Sequence, residues 1–252
     1  MTKKGFTLIE LLVVISIIAL LMAIMMPSLN KARNLAQRVV CKSNQKQIGM
    51  GVEMFTMDNN DWLPMADGTG IGSRTVSDLF PKFPHTTWWY KEIAPYMDYK
   101  NDPWFDGKGR PDEQNDNGDA PKVLVCPGFK GANAAVHGRK VLCYGWNWLI
   151  GAYYRRDVGD GDWWKPRKKS KLENHAVTAL LGDSRTELDF DRTRFWGGEY
   201  WQIPGEYYYG KRHSDGCNYL CIDLHVEYAS YDELVEDCIE EGPIRRPSPE
   251  AN

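Results

Sequence analysis

The sequence predicts an α+β chain: a long amino-terminal helix carrying a globular domain built on an antiparallel sheet. Three observations predict it. An apolar run from Phe6 to Met26 passes straight into an amphipathic stripe that reaches Met57. Short β-rich runs bounded by Gly, Pro, Asn and Asp recur further along. The last two of them, Cys217 to Ile222 and His225 to Ala229, face each other across Asp223-Leu224 as a hairpin.

The boundaries follow from these elements. Residues 1–5 form a short basic leader, residues 6–57 the helix and residues 58–252 the domain. Within the helix, residues 6–26 are long enough to span the roughly 30 Å of membrane hydrocarbon. Beyond them Leu29, Ala32, Leu35, Ala36, Val39, Val40, Ile48, Val52 and Phe55 recur at helical steps. Asp58-Asn59-Asn60-Asp61 ends the pattern and Trp62-Leu63-Pro64 opens the domain. A chain of 252 residues, 42% hydrophobic and 26% charged, leaves an ordinary globular core behind the helix. Its formal charge of -3, from 31 basic and 34 acidic residues, lacks the basic footprint of a nucleic-acid binder, so nucleic acid is not an expected partner.

Glu10 is out of place in the apolar run. An ionised side chain there costs on the order of 3 kcal/mol unless a positive group neutralises it. A free amine at Phe6, created by a cut after Gly5, would be such a group. An ordinary signal peptide is cut after its apolar core, not before it. The stretch Lys4-Gly5-Phe6-Thr7-Leu8-Ile9-Glu10, followed by an unbroken apolar helix, resembles the cleavage and methylation signal of type IV pilins and type II secretion pseudopilins.

That resemblance implies several things. A prepilin peptidase cuts after Gly5, Phe6 is N-methylated, and Glu10 guides the subunit into a growing filament. Pro27 stands where many pilins carry a helix-loosening proline. The implied partners are homologous pilin subunits, the inner-membrane assembly machinery and the peptidase. The implied location is a single pass through the inner membrane with the domain outside the cytoplasm, then a periplasmic or extracellular filament. Charge counting points the other way. Lys31, Arg33, Arg38, Lys42 and Lys46 follow the span, and only Lys3, Lys4 and the amino terminus precede it. Independently of the resemblance, Pro27 predicts a kink or local melting. Gly49 and Gly51 either weaken the helix or admit a close neighbour.

In the domain, Trp88-Trp89-Tyr90 with Ile93 and Tyr96 predicts a short helix or turn, and Lys122 to Pro127 and Val141 to Trp148 predict strands or near-strands. Ala176 to Ser184 predicts a buried central strand. Ser230-Tyr231-Asp232-Glu233 is a capping box that opens a short terminal helix, stopped by Gly242-Pro243. Two oxygen-rich segments, Asp112 to Asp119 and the turn with Asp157, Asp160 and Asp162, suggest calcium. Counting Gly118 as the sixth position puts Leu124 at the twelfth, where an EF-hand needs Glu. Major pseudopilins bind calcium in such loops, and no other cofactor is expected.

Cys41, Cys126, Cys143, Cys217, Cys221 and Cys238 are candidates for disulfides outside the cytoplasm, with 15 pairings open. Cys217 and Cys221 with His213 or His225 sketch a metal site, but core or disulfide roles weigh more and no metal ligand is assigned. His213, Asp215, Asp223 and His225 invite acid–base chemistry. No G-x-S-x-G, H-E-x-x-H or P-loop accompanies them, so His213 and Asp223 are expected to hold the hairpin and the chain is read as a non-enzyme with no catalytic residue.

The segment from His213 to Asp223 also resembles the H-X9-DG segment that accompanies the pilin signal in a large group of proteins from Planctomycetes, Lentisphaerae and related bacteria. Cys41 with Asn44, Lys46 to Gly49, Asp58 to Asn60, Cys126-Pro127, Tyr144 to Asn147 and Leu181 to Asp183 match that group as well. Leu224 departs from it where the group has glycine, which predicts a changed turn or longer loop because positive φ strains a leucine. An alternative function is a membrane-anchored binding module for carbohydrate or DNA. It would use Tyr144 to Asn147 as a stacking surface, or Trp163-Trp164 between Arg155-Arg156 and Lys165 to Lys171.

Overall fold

A computed structural model describes residues 6–64, 89–99, 121–128, 135–136, 139–140, 143–147, 167–172, 174–183, 213 and 216–230. Its first element is the helix α1, Leu8–Asp58, 51 residues long and so about 76 Å from end to end. Of the kink or local melting expected at Pro27, the melting does not occur, and α-helix continues through it. Proline removes a single backbone donor there, while the rest of the roughly 14 turns of the helix keep their ladder on either side.

The buried residues of α1 are Cys41, Gln45, Ile48, Gly49, Gly51, Val52, Phe55 and Thr56. Steps of three and four residues put Cys41, Gln45, Ile48, Val52 and Phe55 on one stripe, which is the face turned to the domain. The helix ends through Asn60, which holds left-handed backbone at φ 52° while the Asp61 N–H returns to the Thr56 carbonyl at 2.9 Å. This is the six-to-one bond of a Schellman termination, with asparagine in the place glycine usually takes. Asp61 then anchors the chain after it. Its carbonyl accepts from the Lys169 N–H at 2.8 Å, and Leu63 N–H donates to the Arg167 carbonyl at 3.0 Å.

A short helix α2, Trp89–Ile93, runs into a 3-10 turn at Ala94–Met97, as the aromatic cluster predicts. Trp88 lies outside the described residues. A two-stranded ribbon of β1 (Ala135–Val136) and β2 (Arg139–Lys140) was not foreseen from the sequence. The main sheet contains β3 (Tyr144–Trp146), β4 (Ala179–Asp183), β5 (Gly216–Cys221) and β6 (Val226–Ser230), antiparallel throughout and in that spatial order. The apolar strand β4 is interior, as its composition predicts, and every one of its five residues is buried.

Lys122 to Pro127 does not form a strand. Lys122–Leu124 is a 3-10 turn entered from Pro121, closed by Leu124 N–H to the Pro121 carbonyl at 2.8 Å. The carbonyls of Lys122 and Val125 both accept from Asn44 Nδ2 of α1 at 3.3 Å. A helix side chain thus takes the acceptors that a neighbouring strand would have used, and propensity yields to that tertiary contact.

One apolar core joins α1 to the sheet. Phe55, Ile48, Trp89, Tyr90, Tyr144, Trp146 and Leu124 are among its largest fully buried side chains. Trp146 stacks on Trp89 at 5.5 Å between centroids, and Phe55 meets Tyr96 edge-on at 6.1 Å. The two helix glycines are points of close approach. A Cβ at Gly49 would sit 2.8 Å from Leu220 Cδ2 and 3.2 Å from Leu224 Cδ2, and one at Gly51 would sit 2.9 Å from Met97 Cγ.

The β5–β6 turn explains how leucine replaces glycine at 224. Leu224 N–H bonds the Cys221 carbonyl at 2.9 Å and Cys221 N–H bonds the His225 carbonyl at 2.9 Å. This is a three-residue loop with its last residue left-handed, and Leu224 holds φ 71°. Left-handed backbone costs a leucine on the order of 1–2 kcal/mol. Its side chain docks beside Gly49, and Lys46 Nζ donates to its carbonyl at 2.6 Å, which offsets the cost. The loop is thus one residue longer than the two-residue Asp223-Leu224 turn, in line with the longer loop that a leucine at this position predicts.

Two outcomes follow from these contacts. A Cβ at Gly216 would lie 2.3 Å from the Ala229 carbonyl oxygen, which is backbone and cannot step aside. Gly216→Ala should cost about 1–3 kcal/mol in denaturant unfolding of the full chain in detergent. Gly51→Ala should stay near neutral, because a flexible Met97 yields and helix propensity returns about 1 kcal/mol. Equal stability of the two variants would contradict this packing. Separately, burial raises the Asp223 pKa, but the backbone N–H and ring of His225 outweigh it and hold the carboxyl below its ordinary value of 3.8. A depressed carboxyl stabilises above the unfolded value and loses that contribution as pH falls through the folded one. Asp223 is partly exposed, so the amount is roughly a few tenths of a kcal/mol. Carboxyl NMR titration should place Asp223 below 3.8, and Asp223→Asn should flatten acid unfolding in that window.

Candidate functional site: an exposed apolar stem and its capped carboxylate

The first half of α1 has no partner among the described residues that buries it. Phe6, Leu8 and Met26 are 71%, 78% and 59% exposed, and every large apolar side chain from Phe6 to Leu29 is exposed. The helix is long and apolar enough to cross a membrane. An apolar surface of this extent marks a lipid or protein contact.

Its polar groups are satisfied locally. Ser16 Oγ donates back to the Leu12 carbonyl at 2.8 Å. Glu10 Oε2 accepts from both the Thr7 N–H and the Thr7 hydroxyl at 2.8 Å, and Glu10 N–H donates to Thr7 Oγ1 at 3.3 Å. Thr7 and Glu10 therefore close a capping box on the first turn of α1. Thr7 is the functional residue missed by sequence reasoning, although its T-x-x-E spacing announces the box. Glu10 thus has a partner within its own chain. Phe6 stands immediately before that cap, and Gly5 lies outside the described residues.

Three of the cations after the apolar run dock on the domain. Arg38 lies over the Tyr228 ring, 3.8 Å from its centroid, and Lys42 Nζ donates to the Val226 carbonyl at 3.3 Å. With Lys46 on Leu224, three of the five clamp the β5–β6 hairpin to the stem. Burial, then the nearby Arg38, hold the Lys42 ammonium below the ordinary lysine range.

The hairpin residues part company. His213 and Asp223 do not meet, because β5 runs between them. Asp223 pairs with His225 Nδ1 at 2.5 Å in the turn. His213 is buried at the other end, its Nε2 3.2 Å from Cys126 Sγ and 3.6 Å from Asp183 Oδ2. Asp215 and Cys238 lie outside the described residues. Cys41, Cys126, Cys143, Cys217 and Cys221 are buried thiols, and none is joined in a disulfide. Cys217 and Cys221 do not gather with His213 or His225. Among the described residues, the group that does assemble is Cys41, Cys126, Asp183 and His213.

Tyr144 and Trp146 are fully buried, so they offer no stacking face for a sugar. Of the basic segment, Lys169 is bound to Glu53 at 2.5 Å and Lys168 lies 5.4 Å from the Trp62 ring centroid, both tying the domain to the end of α1. Trp163-Trp164, Arg155-Arg156 and both oxygen-rich segments lie outside the described residues.

Comparison with known proteins places the amino terminus. Residues 1–26 match the family model described as the prokaryotic N-terminal methylation motif. The type IV wide pilus major component PilA4 of Thermus thermophilus is 46% identical over 59 residues, 23% of this chain and 45% of that protein. The competence protein ComGC of Bacillus subtilis is 33% identical over 64 residues, 25% of this chain and 65% of that protein. The match thus spans less than two thirds of either relative, and no solved structure matches the chain. The likeness is therefore one of the amino-terminal segment, which carries the methylation motif and resembles a type IV pilus component and a competence protein.

Proposed function

We propose that the chain is a pilin-like or pseudopilin subunit, cut by prepilin peptidase between Gly5 and Phe6, N-methylated at Phe6 and assembled into a type IV pilus or type II secretion-type filament. The observation that carries this reading is the uncovered apolar half of α1, which begins at a methylation motif and holds one carboxylate, Glu10. Before assembly that half lies in the inner membrane with the domain outside the cytoplasm. Afterwards it packs among the stems of other subunits. The work is assembly, not turnover. Glu10 pairs with the methylated amine of a neighbouring subunit, exchanging its Thr7 donors for a charged one, and that exchange sets the axial register. An unpaired charge in an apolar bundle is costly, so register errors are penalised.

Mass spectrometry of the native amino terminus tests the processing step. A terminus at N-methylated Phe6 is expected, and a retained Met1 or a cut beyond Ala23 overturns the reading. The Glu10 pairing has its own test, in which Glu10→Gln keeps an acceptor for the capping box while removing the charge. Both Glu10→Gln and Glu10→Ala should lower filament incorporation by more than roughly tenfold, given the order of 3 kcal/mol attached to an unpaired charge. Normal incorporation of Glu10→Gln would assign Glu10 to helix capping alone.

A further inference from the structure

Four ligand-type side chains from four separate parts of the chain converge where the stem meets the sheet. Cys41 comes from α1, Cys126 from the loop after the 3-10 turn, Asp183 from the end of β4 and His213 from the approach to β5. All four are buried, with exposures of 0%, 1%, 0% and 2%. One ligand atom from each lies within 4.8 Å of all the others.

The separations fit a small cation. Donor atoms at the corners of a zinc tetrahedron with bonds of about 2.0–2.3 Å stand about 3.3–3.8 Å apart. Here Cys41 Sγ is 3.1 Å from Asp183 Oδ1, Cys126 Sγ is 3.2 Å from His213 Nε2, and His213 Nε2 is 3.6 Å from Asp183 Oδ2. Only small adjustments separate this arrangement from a coordination shell. Two sulfurs, one imidazole nitrogen and one carboxylate oxygen, closed off from water, make the donor set of structural zinc rather than of calcium or magnesium.

The surroundings orient the donors. Asn218 N–H donates to Asp183 Oδ2 at 2.8 Å and Gln45 Nε2 to Asp183 Oδ1 at 3.4 Å. The Tyr144 hydroxyl lies 3.4 Å from Cys41 Sγ, and Asn44 Nδ2 donates to that hydroxyl at 3.4 Å. The His213 backbone is pinned on both sides, its N–H donating to the Gly216 carbonyl at 3.2 Å and its carbonyl accepting from the Tyr228 hydroxyl at 2.8 Å. Such outer partners fix ligand geometry in metal sites.

We propose that Cys41, Cys126, Asp183 and His213 form a closed, structural zinc site that fastens the stem helix to the sheet. Binding releases the two thiol protons to solvent and leaves two thiolates, one carboxylate and a neutral imidazole around the ion. No redox step is involved. Because the ligands come from α1, the loop, β4 and the approach to β5, the metal crosslinks elements that otherwise meet through packing and hydrogen bonds.

The test uses the full chain in detergent, kept reduced and loaded with Zn(II) or Co(II). Elemental analysis should give one zinc per chain, and Co(II) should give the intense visible bands of a tetrahedral site together with thiolate-to-cobalt charge transfer. Cys126→Ser and His213→Ala should weaken zinc binding by more than the roughly 10–100-fold that loss of an outer partner costs. Chelation should lower the melting temperature of the wild-type chain and leave that of Cys126→Ser unmoved. The cobalt spectrum needs no variant, so a variant that fails to fold does not block the result. Absence of stoichiometric metal, a cobalt spectrum without thiolate character, or a native mass showing a Cys41–Cys126 disulfide would each overturn the site.

Discussion

One helix carries two apolar surfaces, and among the described residues only one of them is buried. From Cys41 to Thr56 the α1 stripe is closed under α2, the 3-10 turns and the sheet, with Ile48, Val52 and Phe55 at most 2% exposed. From Phe6 to Leu29 the same helix is bare. Most of the rest depends on that division. The domain has to grip a helix by one half without covering the other, so its contacts gather on the last four to five turns. The hairpin, the aromatic cluster and the basic 3-10 turn at Lys169–Lys171 all reach that half.

The grip is close enough that it needs small residues on the helix. Gly49 admits Leu220 and Leu224, and Gly51 admits Met97. Each glycine costs about 1 kcal/mol of helix propensity relative to alanine. A buried leucine contributes roughly 1.5–3 kcal/mol by comparison, so approach outweighs propensity here. The same balance accounts for Leu224. A left-handed leucine in isolation is a strained residue, but one whose side chain fills the space above Gly49 replaces a glycine's freedom with a contact.

Much of this was legible in the sequence. The 3.6-residue period announces α1 and its buried stripe, the apolar run Ala176 to Ser184 announces β4, and Lys4 to Glu10 announces the amino-terminal methylation motif. Three things were not legible, for distinct physical reasons. Lys122 to Pro127 has strand composition, but its carbonyls belong to Asn44, a partner far away in the chain. Pro27 carries a local penalty, but a helix this long absorbs one missing bond. The cysteines gave only a count, and a count cannot distinguish a disulfide from a thiol facing an aspartate and a histidine.

The spacing from His213 to Asp223 shows how such a motif acquires meaning only through the fold. Ten steps along the chain first suggest two groups that meet, yet one strand and half a turn lie between them. At about 3.4 Å per residue, a six-residue strand holds its ends on the order of 20 Å apart, well beyond any hydrogen bond. The interval is therefore a ruler. It sets the length of β5, so that the histidine sits against Asp183 and Cys126 at the base while the aspartate closes the turn over α1. Cys41, Cys126, Asp183 and His213 all fall within the segments that carry the resemblance to the H-X9-DG group. Residues that look unrelated along the chain are neighbours around one buried point, and the helix that presents Cys41 there is the same one whose first half stands exposed beyond the domain.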